Sequence, residues 1–148
     1  MQWDGATNAG FSTAPPWIPI HEDYSTWNAA SQVADAGSVY HYWASVLRLR
    51  KTFPDILVYG SFELVSRDDL EVFAYTRHSS TGMALVVLNF VPREVSWTMP
   101  KGLFRGQTTE VLLSSYTRAK TSIIASEAIT LAPLEAFVLL SATPSSSL

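Results

Sequence analysis

Cysteine is absent from the 148 residues. This excludes disulfides and thiolate metal sites but leaves the compartment open, because a domain with an adequate core needs no covalent staple. Positive charge is scarce and unevenly placed, with no Lys or Arg before Arg48. Ten basic against thirteen acidic side chains give a net charge of −3, so the basic surface that a phosphate backbone requires is missing and nucleic acid is not an expected partner. Long apolar runs are also lacking. The longest, Met83 to Leu88, falls far short of a membrane span, and the opening MQWDGATNAG has neither a basic start nor an apolar h-region. The chain reads as soluble and unaddressed, with no membrane partner.

Apolar residues, by contrast, make up 47% of the chain, and Trp3, Trp17, Trp27 and Trp43 all lie in its first third. That is enough to bury one sizeable core but hardly two. Met1 to Ser38, punctuated by Gly5, Gly10, Pro15, Pro16, Pro19 and Gly37, has no sustained period and reads as one long loop. A loop of that length is unusual inside a compact domain and is either functional or laid over a surface supplied from elsewhere. From Val39 to Phe53 the spacing becomes helical, with Val39, Tyr42, Trp43, Val46, Leu47, Leu49 and Phe53 on one side. Asp35 or Ser38 can cap its start, and Arg50 with Lys51 complement its end before Pro54.

After Pro54 the period is two. Short runs at Phe62 to Val65, Val72 to His78, Met83 to Phe90, Glu94 to Met99, Glu110 to Ser114, Ala128 to Leu131 and Ala136 to Ser141 predict an antiparallel β-sandwich. Val95, Trp97 and Met99 should face its core, and Met83 to Leu88 should be a central strand. The fold class is therefore mainly β: an irregular N-terminal loop, one amphipathic helix, then the sandwich. The serine-rich end, residues 142–148, is expected to be a disordered tail.

Most site chemistry is weakly represented. His21, His41 and His78 lack the spacing of a helical zinc site, no G-x-S-x-G marks a hydrolase elbow, and no P-loop lysine follows Gly5 or Gly10. No metal and no cofactor are expected. Paired carboxylates remain, Glu22 with Asp23 and Asp68 with Asp69 and Glu71, a pattern that could serve glycoside hydrolysis. The second set sits in a predicted hairpin turn, where solvated carboxylates are ordinary and nothing apolar would split their pKa values. Aromatic side chains in the first third can stack on sugar faces or fill a core, and packing is the default. Arg50 lies near the middle of the apolar helical face, so its guanidinium should meet a carboxylate or backbone carbonyls.

Met1-Gln2-Trp3-Asp4 looks like the end of an Arg-Thr-Pro-Met-Gln-Trp-Asp motif, followed by Asn8-Ala9-Gly10-Phe11 and Pro16-Trp17-Ile18-Pro19-Ile20. Asn28 and Gln32 occupy the places of an Asn-Val-x-x-Gln, with Ala29 where valine is usual. Val46-Leu47-Arg48-Leu49-Arg50-Lys51, Leu57-Val58-Tyr59-Gly60, Val72-Phe73-Ala74-Tyr75 and Leu85-Val86-Val87-Leu88-Asn89-Phe90 follow in order. Together these segments resemble the C-terminal part of the α-glucosidase and oligo-1,6-glucosidase branch of glycoside hydrolase family 13, the α-amylase family.

The resemblance implies that residues 1–53 are the last loop and helix of a catalytic barrel and residues 54–141 the β-sandwich behind it. A complete eight-fold barrel needs on the order of 250 residues, so the expected partner is the missing barrel of the parent chain, and an α-glucoside would be met only through that parent. The family's catalytic carboxylates map onto no residue here. The chain alone is expected to be inactive, with Gln2, Trp3 and Asp4 near the rim of the sugar pocket and a cytoplasmic location. Without a barrel to cover, the helical face holding Trp43, Val46, Leu47 and Phe53 should meet water. The alternative is a non-catalytic structural or α-glucan-binding module.

Overall fold

The computed structural model describes residues 1–104, 108–116, 122–124 and 128–142; the serine-rich end beyond residue 142 lies outside them. The chain divides into two compact units, the first Met1–Arg48 and the second beginning at Leu49. No helix among the described residues is long and apolar enough to cross a membrane.

The first unit is more ordered than its lack of periodicity predicts. A six-residue helix, α1 (Ala29–Ala34), interrupts the expected loop, and 3₁₀ turns occupy Thr7–Gly10 and Glu22–Ser25. A capping box starts α1: the Asn28 carboxamide accepts from Ser31 N–H, and the Ser31 hydroxyl accepts from Asn28 N–H. Such a cap holds a helix too short to show an apolar stripe. Gln32 then reaches the next helix, α2 (Val39–Thr52), where its Oε1 accepts from Tyr40 N–H at 3.4 Å. The Ser38 hydroxyl accepts from His41 N–H and donates to Gln32 O, so Ser38 caps α2 while Asp35 turns to Gly37 N–H. Asn28 and Gln32 are thus joined by their duties at two helix starts.

On the apolar face of α2, Val39, Trp43 and Leu47 are more than half exposed, while Tyr42, Val46 and Leu49 are half-buried. Packing was the default reading for Trp43, and the structure does not supply that packing. Phe53 lies just past the end of α2 and packs with Ile56 and Leu57 of a one-turn helix, α3 (Pro54–Leu57). Pro54 therefore both ends α2 and opens α3, at the first helical position where its missing N–H costs nothing. Arg50 donates to Leu57 O at 3.3 Å while remaining exposed, the carbonyl pairing expected of it.

Among the described residues eight strands follow: β1 (Ser61–Leu64), β2 (Val72–Ser79), β3 (Gly82–Asn89), β4 (Val95–Thr98), β5 (Thr108–Ser114), β6 (Ser122–Ile124), β7 (Ala128–Leu131) and β8 (Ala136–Ala142). Seven match the predicted runs, and β6, three residues long, has no readable alternation. They form a six-stranded sheet in the order β1-β2-β3-β8-β5-β6 and a two-stranded sheet of β4 and β7, with every pair antiparallel. Between the sheets lies the main core, where Val72, Ala74, Leu85, Val87, Phe137 and Leu139 meet Trp97, Met99, Ile129 and Leu131. Trp97 and Met99 point inward as their alternation requires.

β3 is central, flanked by β2 and β8. Its other face is covered at Ala84, where Ile56 and Leu140 close a second small cluster. The chain passes α3 so tightly at Gly60 that any Cβ would fall within 3.0 Å of the carbonyls of Ile56 and His78, so only glycine fits. Farther along that face, Phe62, Tyr75, Phe73 and Phe90 form a partly exposed row with successive ring centroids 5.1, 5.6 and 6.4 Å apart.

Buried polar groups lock the end of the sandwich. Asn89, 3% exposed, donates to Arg93 O and Ala132 O, both at 2.8 Å, and accepts from Val91 N–H. Glu135, 2% exposed, accepts from Ala132 N–H and from the Ser114 hydroxyl. These bonds satisfy turn backbone that no ladder reaches.

Candidate functional site

Gln2, Trp3 and Asp4 are held by backbone on both sides. The first free N–H groups of α1, from Ala29 and Ala30, donate to the carbonyls of Gln2 and Trp3 at 2.9 Å, so this short segment completes the helix start. In the other direction the amides of Trp3 and Asp4 both donate to Ala9 O. Ala9 is 1% exposed and has φ +55°, between Asn8 at +57° and Gly10 at +66°. Three successive left-handed residues are costly for side chains with a Cβ, and local bonds sustain them. The Asn8 carboxamide donates to Ser12 O and Ala14 O, and the Asp4 carboxylate accepts from Ala6 N–H.

Glycine is mandatory at position 10. Its φ is left-handed, and a Cβ there would land on the Asp4 carboxylate. Gly10→Ala is therefore expected to push Asp4 away and free the Ala9 carbonyl. Hydrogen exchange at the Trp3 and Asp4 amides should speed up at least about tenfold while the amides of β3 and β8 stay protected. Unchanged exchange at Trp3 and Asp4 would show that the loop absorbs the methyl group.

Side-chain geometry adds residues that sequence reading set aside. Asp23 Oδ1 accepts from Gln2 Nε2 at 3.0 Å and faces His21 Nδ1 at 2.7 Å. The hydrogen bond from Gln2, then that from His21, holds the Asp23 carboxyl below its usual 3.8. Because its pKa is depressed, the stabilisation from these bonds is present above pH 3.8 and is lost as the pH falls through the lowered value. His21 Nδ1 also lies 3.4 Å from Asp23 N–H. One nitrogen cannot accept there while donating to the carboxylate, and the shorter contact to Oδ1 places the proton on Nδ1.

Beside this trio lies a cavity of about 420 Å³ whose lining includes Gln2, Phe11, Trp17, Ile18 and His21. Trp17 is 92% exposed and Phe11 50%. No Asp or Glu lines the cavity, so it lacks the two facing carboxylates that retaining glycoside hydrolysis uses. Of Gln2, Trp3 and Asp4, only Gln2 lines this cavity, and Trp3 is half exposed.

The other acidic set is structural. Asp69 Oδ1 accepts from the amides of Glu71 and Val72 at 2.9 Å, and Glu71 pairs with Arg93, as a hairpin turn would use them. His41 and His78 each have a local partner: His41 Nε2 donates to Val33 O, and His78 Nε2 meets the Ser61 hydroxyl. Among the described residues no three His, Cys, Asp or Glu side chains gather to hold a metal.

Comparison with known proteins matches this arrangement to a family. Residues 1–60 fit the model of the α-amylase catalytic domain. Over 141 residues the chain is 41% identical to the α-glucosidase of Schizosaccharomyces pombe, covering 94% of this chain and 23% of that protein. With the oligo-1,6-glucosidase of Parageobacillus thermoglucosidasius it shares 36% identity over 116 residues, 78% of this chain and 20% of that one. The crystal structure of Bacillus licheniformis trehalose-6-phosphate hydrolase superposes with a TM-score of 0.86 at 32% identity, covering 96% of this chain and 25% of that chain. The chain spans about a quarter of the length of these relatives. It belongs to the α-amylase family of glycoside hydrolases and corresponds to the C-terminal part of the α-glucosidase and oligo-1,6-glucosidase branch.

Proposed function

We propose that the chain is the closing part of a retaining α-glucosidase that removes terminal α-linked glucose from maltose- or isomaltose-type oligosaccharides. The observation that carries this reading is the 41% identity to an α-glucosidase along nearly the whole chain, on only 23% of that enzyme's length. On this reading residues 1–53 are the last loop and helix of the barrel and residues 54–141 the domain behind it. The match to the catalytic-domain model over residues 1–60 supports that division. The carboxylates that break the bond would belong to the rest of the barrel, which is the partner of this chain, and the parent enzyme would work in the cytoplasm. Gln2, Trp3 and Asp4 would stand near the rim of the sugar pocket. Their backbone bonds to the start of α1 and to the Ala9 carbonyl would hold that rim rigid.

The purified chain is accordingly expected to leave a chromogenic α-glucoside intact, at the buffer rate, whereas a chain extended by a barrel should turn it over. Hydrolysis that follows the chain through successive columns, from a host strain without its own α-glucosidases, would overturn this reading.

A further inference from the structure

We propose that the outward face of β2, β3 and β8, with Phe62 of β1 and Phe90 at its margins, is a docking surface for the rest of the catalytic domain and not a face for water. The choice of partner rests on the α-glucosidase reading above; the face and its residues come from the sheet.

An antiparallel sheet that meets water on one side alternates apolar with polar side chains. The core side of this sheet takes Val72, Ala74, Leu85, Val87, Phe137 and Leu139. Their neighbours along each strand point the other way. Register sets these in two crosswise rows, Phe73 with Leu88 and Ala136, then Tyr75 with Val86 and Val138. None of the six carries a charge. Arg77 is the one charged side chain at the outward positions of the three strands, and its guanidinium donates to Val58 O at 2.7 Å.

This face is left partly bare. Phe62, Phe73 and Phe90 are 55%, 40% and 64% exposed, and Val86, Leu88 and Val138 are half-buried. β3, apolar from Met83 to Leu88, is suited to cover on both sides. On the outward side that cover is seen at Ala84, under Ile56 of α3. A contiguous aromatic and aliphatic surface of this kind marks a site of contact with another protein surface.

The element already seated there points to the occupant. α3 (Pro54–Leu57) packs on this face through Ile56 and is followed by the carbonyl that Arg77 holds. It also lies within residues 1–60, the stretch that fits the α-amylase catalytic domain. The bare rows therefore continue an interface that the catalytic domain has begun. In the α-glucosidase relative the matched part is only 23% of the protein, so ample chain exists there to extend the cover.

The test is hydroxyl-radical oxidation of Phe62, Phe73 and Phe90, read by mass spectrometry. It compares the 148-residue chain with a chimera in which this chain replaces the matching C-terminal part of the Schizosaccharomyces pombe α-glucosidase. In the chain alone the three rings should oxidise readily, at rates independent of protein concentration. In the chimera they should slow at least about tenfold, as side chains do in a packed interface. Phe73→Glu should leave the urea midpoint of the chain alone nearly unchanged, yet restore oxidation of Phe62 and Phe90 in the chimera. Protection that grows with concentration in the chain alone would make a second copy the occupant and overturn the proposal, whether or not the chimera folds. Equal oxidation in both proteins overturns it as well. The two readings fail separately: a chimera that hydrolyses an α-glucoside with the rings still open removes the docking surface alone, and a folded chimera with protected rings and no hydrolysis removes the α-glucosidase reading alone.

Discussion

Phe137→Ala is expected to lower the stability of the sandwich by about 3–5 kcal/mol, the usual cost of emptying a buried phenylalanine site. Phe137 is 1% exposed and heads the fully buried side chains by volume. It sits on β8 with Val87 of β3 on one side and Ser114 of β5 on the other. Both neighbours belong to paired strands that cannot collapse into the void without breaking their ladders, so the cavity should persist. Domains of this kind hold about 5–15 kcal/mol in total, and the variant should forfeit a large part of that. Urea unfolding read through Trp97, itself in the same core, would show the midpoint falling by 1 M or more at a typical slope. Phe73→Ala is the control: that ring is 40% exposed and its removal should cost much less. A loss below about 1 kcal/mol for Phe137→Ala would mean that the core repacks freely.

Glu135→Ala is the second large effect, for a different reason. Here the loss is of acceptors: Ala132 N–H and the Ser114 hydroxyl would both lose the carboxylate in a site only 2% exposed. A buried donor left unpaired costs about 1–3 kcal/mol, so the expected total is about 2–4 kcal/mol. Glu135→Gln keeps the shape and one acceptor oxygen but turns the other into a donor. It should fall between wild type and alanine. If alanine proves no worse than glutamine, water enters the site and replaces the carboxylate, and the lock described at this end of the sandwich is not one.

Much of the architecture was legible because each element wrote its own period. β4 alternates Val95, Trp97 and Met99 against polar neighbours, and α2 carries an apolar stripe between a capping serine and a proline. Elements without a period escaped. α1 is Ala-rich and shows only its cap, Asn28, while β6 is too short to alternate. Sheet order was not legible either, since the placement of β8 between β3 and β5 depends on contacts that no local pattern records.

The site followed the same division. Gln2 and Asp4 came to notice only through resemblance to a motif, Trp3 also as one of the early aromatic residues, while Asp23 read as half of a carboxylate pair with Glu22 and His21 as an isolated histidine. What joins them is a return of the chain that sets residue 23 against residue 2 across 21 positions. The apolar exposure of Trp17 was equally unreadable, because an aromatic ring in a proline-rich loop looks the same in sequence whether it is covered or bare.

The position of β8 also bears on how the molecule can be made. It leaves the ribosome after the other seven described strands, yet β3 and β5 each need it as a neighbour. Throughout synthesis the nascent sheet exists as two unjoined halves, each showing a bare hydrogen-bonding edge to passing chains. Joining of the two halves must therefore wait until β8 has been made, and in that interval both edges are open to pairing with other chains.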